Sequence, residues 1–487
     1  MHSNANFYDF TISNSSYDVD ALSNVAVDNN FTISSGELDM STYQLDVKGT
    51  ISNSGTLTTT SGTLNLNGSS AQTISSALNA GSLIISNTSG VTANADVTLS
   101  GSLTLSSGCT YEVGTTTTTV AGTSDIDGTL TLSTGKYDAN GSFDATNGNV
   151  TFTGAGTLEL GGTVTSLGTF TGGGNSTVVY NGGAQIIDDF SSKSGPYETL
   201  TIAGSDDKDL SGNTTVSDLL SWTADVDLEA NGHTLTITQT PSGYSNSRVI
   251  VGGTSNTVSV AYQSASNALC FIPFGIDGSL RVLGIAPVSA ETFTAVYTPG
   301  TPFNSGTLDW NSHPTGSPIE SGGPVAHVNN HYYYDVSRAG SVNADLYMGF
   351  NGLTAPSSTG DMYMMHWNSS NNQWERLTTY VLRTASTVAA TATQFSPFTQ
   401  GSGGSALPID LVSFTGACEN NETELEFVVA SQINNDYFSI YRSTNATDWN
   451  LVGEIEGAGN TSTQLTYQWI DNNPLSGVSY YKLAQTD

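Results

Sequence analysis

The chain has 487 residues, of which only 11% are charged, and its 43 acidic residues against 11 basic ones give a net charge of −32. That balance leaves no basic stripe to neutralise nucleic-acid phosphates or to hold an anionic lipid surface. Hydrophobic residues make up an ordinary 37%, proline is scarce at 13, and Val, Ile, Thr, Phe and Tyr are plentiful, which excludes a disordered chain and points to strands.

The length suggests about three domains of roughly 100–200 residues each. No apolar run approaches the roughly 20 residues of a membrane helix, so membrane insertion by a helix is not expected. The start, Met1-His2-Ser3-Asn4, lacks the basic and apolar regions of a signal peptide, so an exported form would have lost its signal. Cys109, Cys270 and Cys418 fall one to each predicted region, which leaves no region able to close its own disulfide.

From the N-terminus, a hydroxyl-rich unit recurs: FTISSGELDM from Phe31, LTTTSGTLNL from Leu57, LTLSSGCTYE from Leu103 and LTLSTGKYDA from Leu130, with a looser copy from Val150. The starts differ by 26, 46 and 27 residues, and 46 is close to two steps of 23. NGSSAQTI from Asn67 and NGGAQII from Asn181 repeat a turn-then-strand unit. Apolar residues alternate within the copies, as at Leu103 and Leu105, Leu130 and Leu132, and Leu158 and Leu160, the period of a strand with one buried face. Asn-Gly pairs at Asn67, Asn140, Asn147, Asn181 and Asn231 read as corners with positive φ.

Repeats of about 20–27 residues made of several short strands predict the coils of a parallel β-helix, or β-solenoid, over residues 1–243. One coil burying five aliphatic side chains gains on the order of 10 kcal/mol. Ordering its roughly 24 residues costs about 1–2 kcal/mol each, so a coil must stack to exist.

From Tyr244 proline, aromatics and the first arginine, Arg248, arrive together. The aromatic-rich strands of residues 244–400 predict a β-sandwich, and GSGGS at 401–405 a linker. Alternating segments over 406–487 predict a second sandwich. The fold class is therefore all-β, a solenoid followed by two β-sandwich domains.

The last of these carries LPIDLVSFTGACENN, then ELEFVVASQINNDYFSIYRSTNATDWNLVGEIEGAGN, then YQWIDNNPLSGVSYYKLAQTD. In that order the segments resemble the fibronectin-type-III-like module near the C-terminus of many Bacteroidetes surface proteins exported by the type IX secretion route. YYYDVSRAG and QFSPFTQGS resemble the module that often precedes it. The resemblance implies a secreted or cell-surface protein. It also implies a further strand and a sorting domain after the Tyr480-Tyr481-Lys482-Leu483 strand, so the natural polypeptide is expected to be longer.

Chemistry-bearing residues are few. Residues 1–247 contain no arginine and only Lys48, Lys136, Lys193 and Lys208, too scattered for a polysaccharide lyase. Hydrolysis needs paired carboxylates at a set distance, and the one tight pair in apolar company, Asp188-Asp189, points two ways on a strand. Asp206, Asp207 and Asp209 around Lys208 offer oxygens in one loop for calcium. Asp225, Asp227 and Glu229, and likewise Asp125 and Asp127, align on strand faces. His327 and His331 lack a third zinc ligand unless His313 or His366 supplies it.

Tyr333, Trp367 and Trp374 are candidates for stacking a sugar, against the alternative of core packing. Thr115–Thr119 and Thr56, Thr58, Thr59 and Thr60 raise ordered water on ice, but such rows must repeat in register, and Thr115–Thr119 has no counterpart 23–27 residues away.

The expectation is a non-catalytic extracellular stalk or presentation scaffold that needs no cofactor, with a structural calcium as the candidate ion. Expected partners are extracellular surfaces, polysaccharide, other cell-surface proteins or further copies of the chain. The alternatives are a carbohydrate-binding or polysaccharide-degrading β-helix and a self-assembling filament subunit.

Overall fold

A computed structural model describes residues 5–486 apart from 59–60, 190–194, 256, 277–278, 300–326, 329–331, 350–361, 369–372, 378–379, 384–386, 396, 403–410, 420, 431 and 462. Residues 5–274 form a parallel β-solenoid of about 13 turns. Its first coils have three faces. Face 1 is a 9-stranded ladder from Ala5–Phe7 to Val164–Ser166, and face 2 a 9-stranded ladder from Phe10–Ser13 to Thr169–Thr171. Face 3 begins with Val19–Asp20, Glu37–Asp39 and Thr56–Thr58 and resumes at Leu78–Ala80.

On face 1 the residues Val25, Leu45, Leu64, Leu83, Leu103, Ser124, Phe143 and Val164 stand directly above one another. A coil is therefore 19–21 residues long, shorter than the repeat read from the sequence. The hydroxyl-rich copies are not equivalent positions. Phe31 opens a strand on face 2, Leu57 lies on face 3, Leu103 on face 1 and Leu130 again on face 2. Steps of 26 and 27 residues span one coil plus one face, whereas Val150 sits one whole coil above Leu130.

Alternation decides what fills the interior. Leu103, Leu105, Leu130, Leu132, Leu158 and Leu160 are fully buried, as the period-two pattern predicts. Tyrosines join them: the hydroxyl of Tyr111 shares a hydrogen bond with Thr118 (2.7 Å), and Tyr137 donates to Ser124 (2.9 Å). Tyr197 donates to the Asp188 carbonyl (2.8 Å) and lies 3.0 Å from the Tyr180 hydroxyl. Each interior phenol thus has the partner that burial demands, and burial pushes the pKa of all four far upward.

The corners depart from expectation. Of the five Asn-Gly pairs only Asn231-Gly232 takes positive φ, at 51° and 83°. Elsewhere glycine is needed because successive coils touch there. A Cβ on Gly141 would lie 2.2 Å from the Gly122 carbonyl oxygen, and one on Gly162 would lie 2.3 Å from that of Gly141.

Two corners are plugged by glutamine. Gln72 accepts from the Gly68 amide (2.9 Å) and donates to the Val47 and Gly49 carbonyls of the coil below (2.8 Å each). Gln185 repeats this with the Gly182 amide (2.8 Å) and the carbonyls of Leu160 (2.8 Å) and Gly162 (2.7 Å). The paired NGSSAQTI and NGGAQII strings are this plug.

Past residue 243 parallel pairing continues, with Leu228 beside Ile250 and Ile250 beside Phe274. The composition change at Tyr244 therefore falls inside the last coils. The chain divides into two compact units, residues 1–299 with 336–344, and residues 300–335 with 345–487, so the segment read as one middle sandwich is shared between them. In the first unit the coils pass into antiparallel pairs, Val258–Ser264 with Glu291–Pro299 and Cys270–Ile276 with Ser279–Pro287.

In the second unit Pro397–Ser402 pairs antiparallel with Met362–Asn368 and with His327–Val328. Gly401 and Ser402 thus finish a strand, and the rest of the linker read at 401–405 lies outside the described residues. Two three-stranded antiparallel sheets end the chain. One holds Leu411–Glu419, Glu422–Val429 and Leu465–Asp471, and the other holds Asn450–Thr461, Gln432–Ser443 and Tyr480–Thr486. They meet over Phe427, Val429 and Phe438, with Tyr467 stacked 5.1 Å from Phe427. Among the described residues Tyr480–Thr486 pairs with Gln432–Ser443 alone.

Candidate functional site

The acidic segment Asp206–Asp209 occupies a corner and a face strand of the solenoid. Lys208-Asp209-Leu210 alternates inward, outward, inward, and stands in register with Gln185-Ile186-Ile187 of the coil below. Lys208 therefore takes the Gln185 position. Its ammonium is buried and donates to the carbonyls of Gly183 (2.9 Å), Gly182 (3.3 Å) and Asp206. Burial lowers its pKa against the opposing pull of Asp206 and Asp207. The lysine read as diluting the loop's charge is spent inside.

Outside, the carboxylates tie coil to coil. Asp207 accepts from the Asp227 amide (2.7 Å), and Asp227 accepts from the Val249 amide (3.0 Å) one coil further on. Asp209 accepts from the Asn231 side-chain amide (2.6 Å), whose oxygen takes the Thr254 amide (2.8 Å). Asp206 takes the Ser205 hydroxyl (2.9 Å). Asp206, Asp207 and Asp209 each face a different partner, and among the described residues no three His, Cys, Asp or Glu side chains converge as metal ligands.

Asp209 and Glu229 do meet, directly opposite in the ladder. Burial, the hydrogen bond to Asp209 and the charges of Asp209, Asp207 and Asp227 together raise the Glu229 pKa. Asp227 is raised by burial and by Asp207, against its bond from the Val249 amide. A carboxyl raised in the folded state favours its protonated form there, so the stability it lends is complete below its ordinary value and fades as pH climbs past it.

Glu229→Gln should accordingly stabilise the chain at pH 7 by about 0.2–1 kcal/mol, the range for like charges opposed across strands, with the gain vanishing in acid. Thermal unfolding of both proteins across pH 3–8 checks this. A variant no more stable than the parent at pH 7 would refute the pairing.

The other candidates separate. Asp188 accepts from the Leu167 amide (2.7 Å) and the Ser166 hydroxyl (3.3 Å) of the preceding coil, while the Asp189 carboxylate fills the space beside Gly212, where a Cβ would lie 1.8 Å from it. Asp125 lies in register with Asp144, and burial followed by the Asp127 and Asp144 charges raises its pKa. Lys48 pairs with Asp28 (2.6 Å) and Lys136 with Glu159 (2.6 Å), and Lys193 lies outside the described residues.

Trp367 is buried and stands opposite Trp374, whose side chain lies outside what is described. Tyr333 is half-buried between the buried Tyr332 and Tyr334. His366 is buried beside Phe398, and His313 and His331 lie outside the described residues.

A feature the sequence reading missed lies in the terminal sheets. A cleft of about 500 Å³ is lined by Phe414, Leu425, Leu475 and Tyr481, with Glu422 its only carboxylate. Near it Asp471 accepts from Tyr481 (2.8 Å) and Arg442 (2.6 Å). Burial pushes Asp471 up, but these bonds and the Asn473 amide outweigh it and hold the carboxyl below its usual range. One carboxylate cannot supply the acid and base of glycoside hydrolysis.

No protein-family description, curated protein or solved structure matches the chain. What defines it is the fold itself, a β-solenoid of about 13 turns followed by small antiparallel sheets.

Proposed function

We propose that this chain is a non-catalytic extracellular scaffold, a stalk segment of a surface protein of the type IX-exported kind, with the solenoid supplying length. The observation that carries the reading is how the solenoid uses its acids. Asp9, Asp46, Asp96, Asp127, Asp188, Asp207, Asp209 and Asp227 each accept a hydrogen bond from a residue about one coil away. Carboxylates bound in this way hold rungs together and are poor candidates for proton transfer. A solenoid of about 13 turns, at about 4.8 Å per rung, gives roughly 60 Å of reach.

The competing reading is a polysaccharide-degrading β-helix. Incubation with a panel of acidic and neutral polysaccharides, assayed for new reducing ends and for unsaturated products, is expected to yield neither. Product formation that disappears in Asp209→Asn or Glu422→Gln would overturn the scaffold reading.

A further inference from the structure

Face 2 differs from its neighbours in chemistry. Its strands from Gln72 onward set Thr73, Thr92, Glu112, Thr131, Thr151 and Thr171 in one outward column, each in register with the next. A second outward column, two residues earlier on each strand, holds Thr110, Thr129, Asn149 and Thr169. Rungs lie about 4.8 Å apart and alternate residues along a strand about 6.7 Å apart, so the hydroxyls form a two-dimensional grid. No register shift interrupts these ladders from Gln72–Ile74 to Thr169–Thr171.

Two further observations set the grid apart from a merely polar surface. In a chain of net charge −32, the nine strands of this face carry one charged residue, Glu112. Face 1 carries Asp46, Asp125 and Asp144, and face 3 carries Lys136, Asp138 and Glu159. The hydroxyls are also free. Thr92 bonds Glu112 (3.3 Å) and Thr129 accepts from Asn149 (3.2 Å), but those of Thr73, Thr131, Thr151, Thr169 and Thr171 bond no other described residue. At the corners the opposite holds, where Ser133, Thr116 and Thr153 donate to the carbonyls of Gly114, Ala93 and Leu132.

We propose that this face binds ice. A rigid plane of free hydroxyls and threonine methyls, repeating in two directions at spacings close to those of oxygen atoms on a crystal face of ice, can hold its hydration water in a lattice that merges with the crystal. A dissolved ligand would need a pocket and convergent polar groups. An uncharged flat grid fits an extended periodic surface, and the methyls add apolar area removed from liquid water on contact. The proposal stands apart from the scaffold reading, since a stalk needs no such face.

The test is ice recrystallisation inhibition and thermal hysteresis on the full chain. The parent is expected to shape ice. The double variant Thr131→Tyr, Thr151→Tyr should lose activity at least about tenfold, equivalent to ~1.4 kcal/mol of adsorption free energy. Thr157→Tyr on face 3 should keep it. Glu112→Thr, which completes the column without adding bulk, should raise it, and this arm does not depend on how the tyrosine variants fold.

Circular dichroism and the unfolding midpoint establish that each variant is folded. Absence of ice shaping by the parent would overturn the proposal. So would equal losses from the face 2 and face 3 variants, or no gain from Glu112→Thr.

Discussion

Removing residues 103–142 should leave a folded protein, whereas removing residues 103–129 should not. The first excision takes out two whole coils. It joins Gly101-Ser102 to Phe143, which in the native chain follows Gly141-Ser142, so every later strand keeps its face and every corner glycine keeps its neighbour. The second takes out the apparent repeat between the Leu103 and Leu130 copies. It sets a face 2 strand on face 1 and turns all later strands by one face.

Corners that rely on close glycine contact then meet the wrong residues. Overpacking of that kind costs about 1–3 kcal/mol at a site, so three mismatched corners lose roughly 3–9 kcal/mol at the splice. Because coils stabilise one another only through neighbours, the defect also uncouples the two halves. Thermal unfolding followed by circular dichroism distinguishes the cases. The first deletion keeps a cooperative transition near that of the parent, and the second broadens and lowers it. Equal tolerance of both would refute the 19–21-residue coil.

The sequence does contain that period, in a place the hydroxyl-rich motif conceals. Glycine followed by Ser or Thr and then an inward residue occurs at Gly62, Gly81, Gly101, Gly122, Gly141 and Gly162. This is one corner of the coil, where backbone contact excludes any side chain. The LTxSSG pattern, by contrast, describes any strand leading to any corner, so it recurs on all three faces and its spacing mixes whole coils with thirds of coils. Local chemistry repeats every strand, but only steric contact between coils marks the turn.

The same distinction explains the sites. Alternation placed Leu130 and Leu158 inside correctly because burial alone decides such residues. It could place Lys208 inside only if its ammonium had acceptors, and those are carbonyls of residues 25 and 26 positions earlier that no local reading supplies. The threonine grid was hidden for the same reason. Thr129 and Thr131 look ordinary until coil stacking aligns them with Thr169 and Thr171, and the repeat length first assumed aligns them with nothing. Asp206, Asp207 and Asp209 read as one ligand set because they are close in sequence, but alternation and the coil corner send them to separate partners.

The glutamine plugs give the second large effect. Gln185→Ala should destabilise the solenoid by about 3–6 kcal/mol, since three buried backbone groups, the Gly182 amide and the Leu160 and Gly162 carbonyls, each lose a partner at roughly 1–3 kcal/mol. Water cannot readily replace the side chain, because the corner is buried between the coil below and the Lys208 coil above. Gln72→Ala should cost a comparable amount and in addition strand the Asn87 side-chain amide, which donates to it (2.9 Å).

The two plugs lie coils apart and share no partner, so the double variant should lose the sum of the single losses to within about 0.5 kcal/mol. Hydrogen exchange reads the effect locally, with the Gly68 amide losing protection in the first variant and the Gly182 amide in the second. Equilibrium denaturation gives the totals. If Gln185→Ala cost less than about 1 kcal/mol, the range of an ordinary exposed substitution, the corner would have to be open to water and the plug would be incidental.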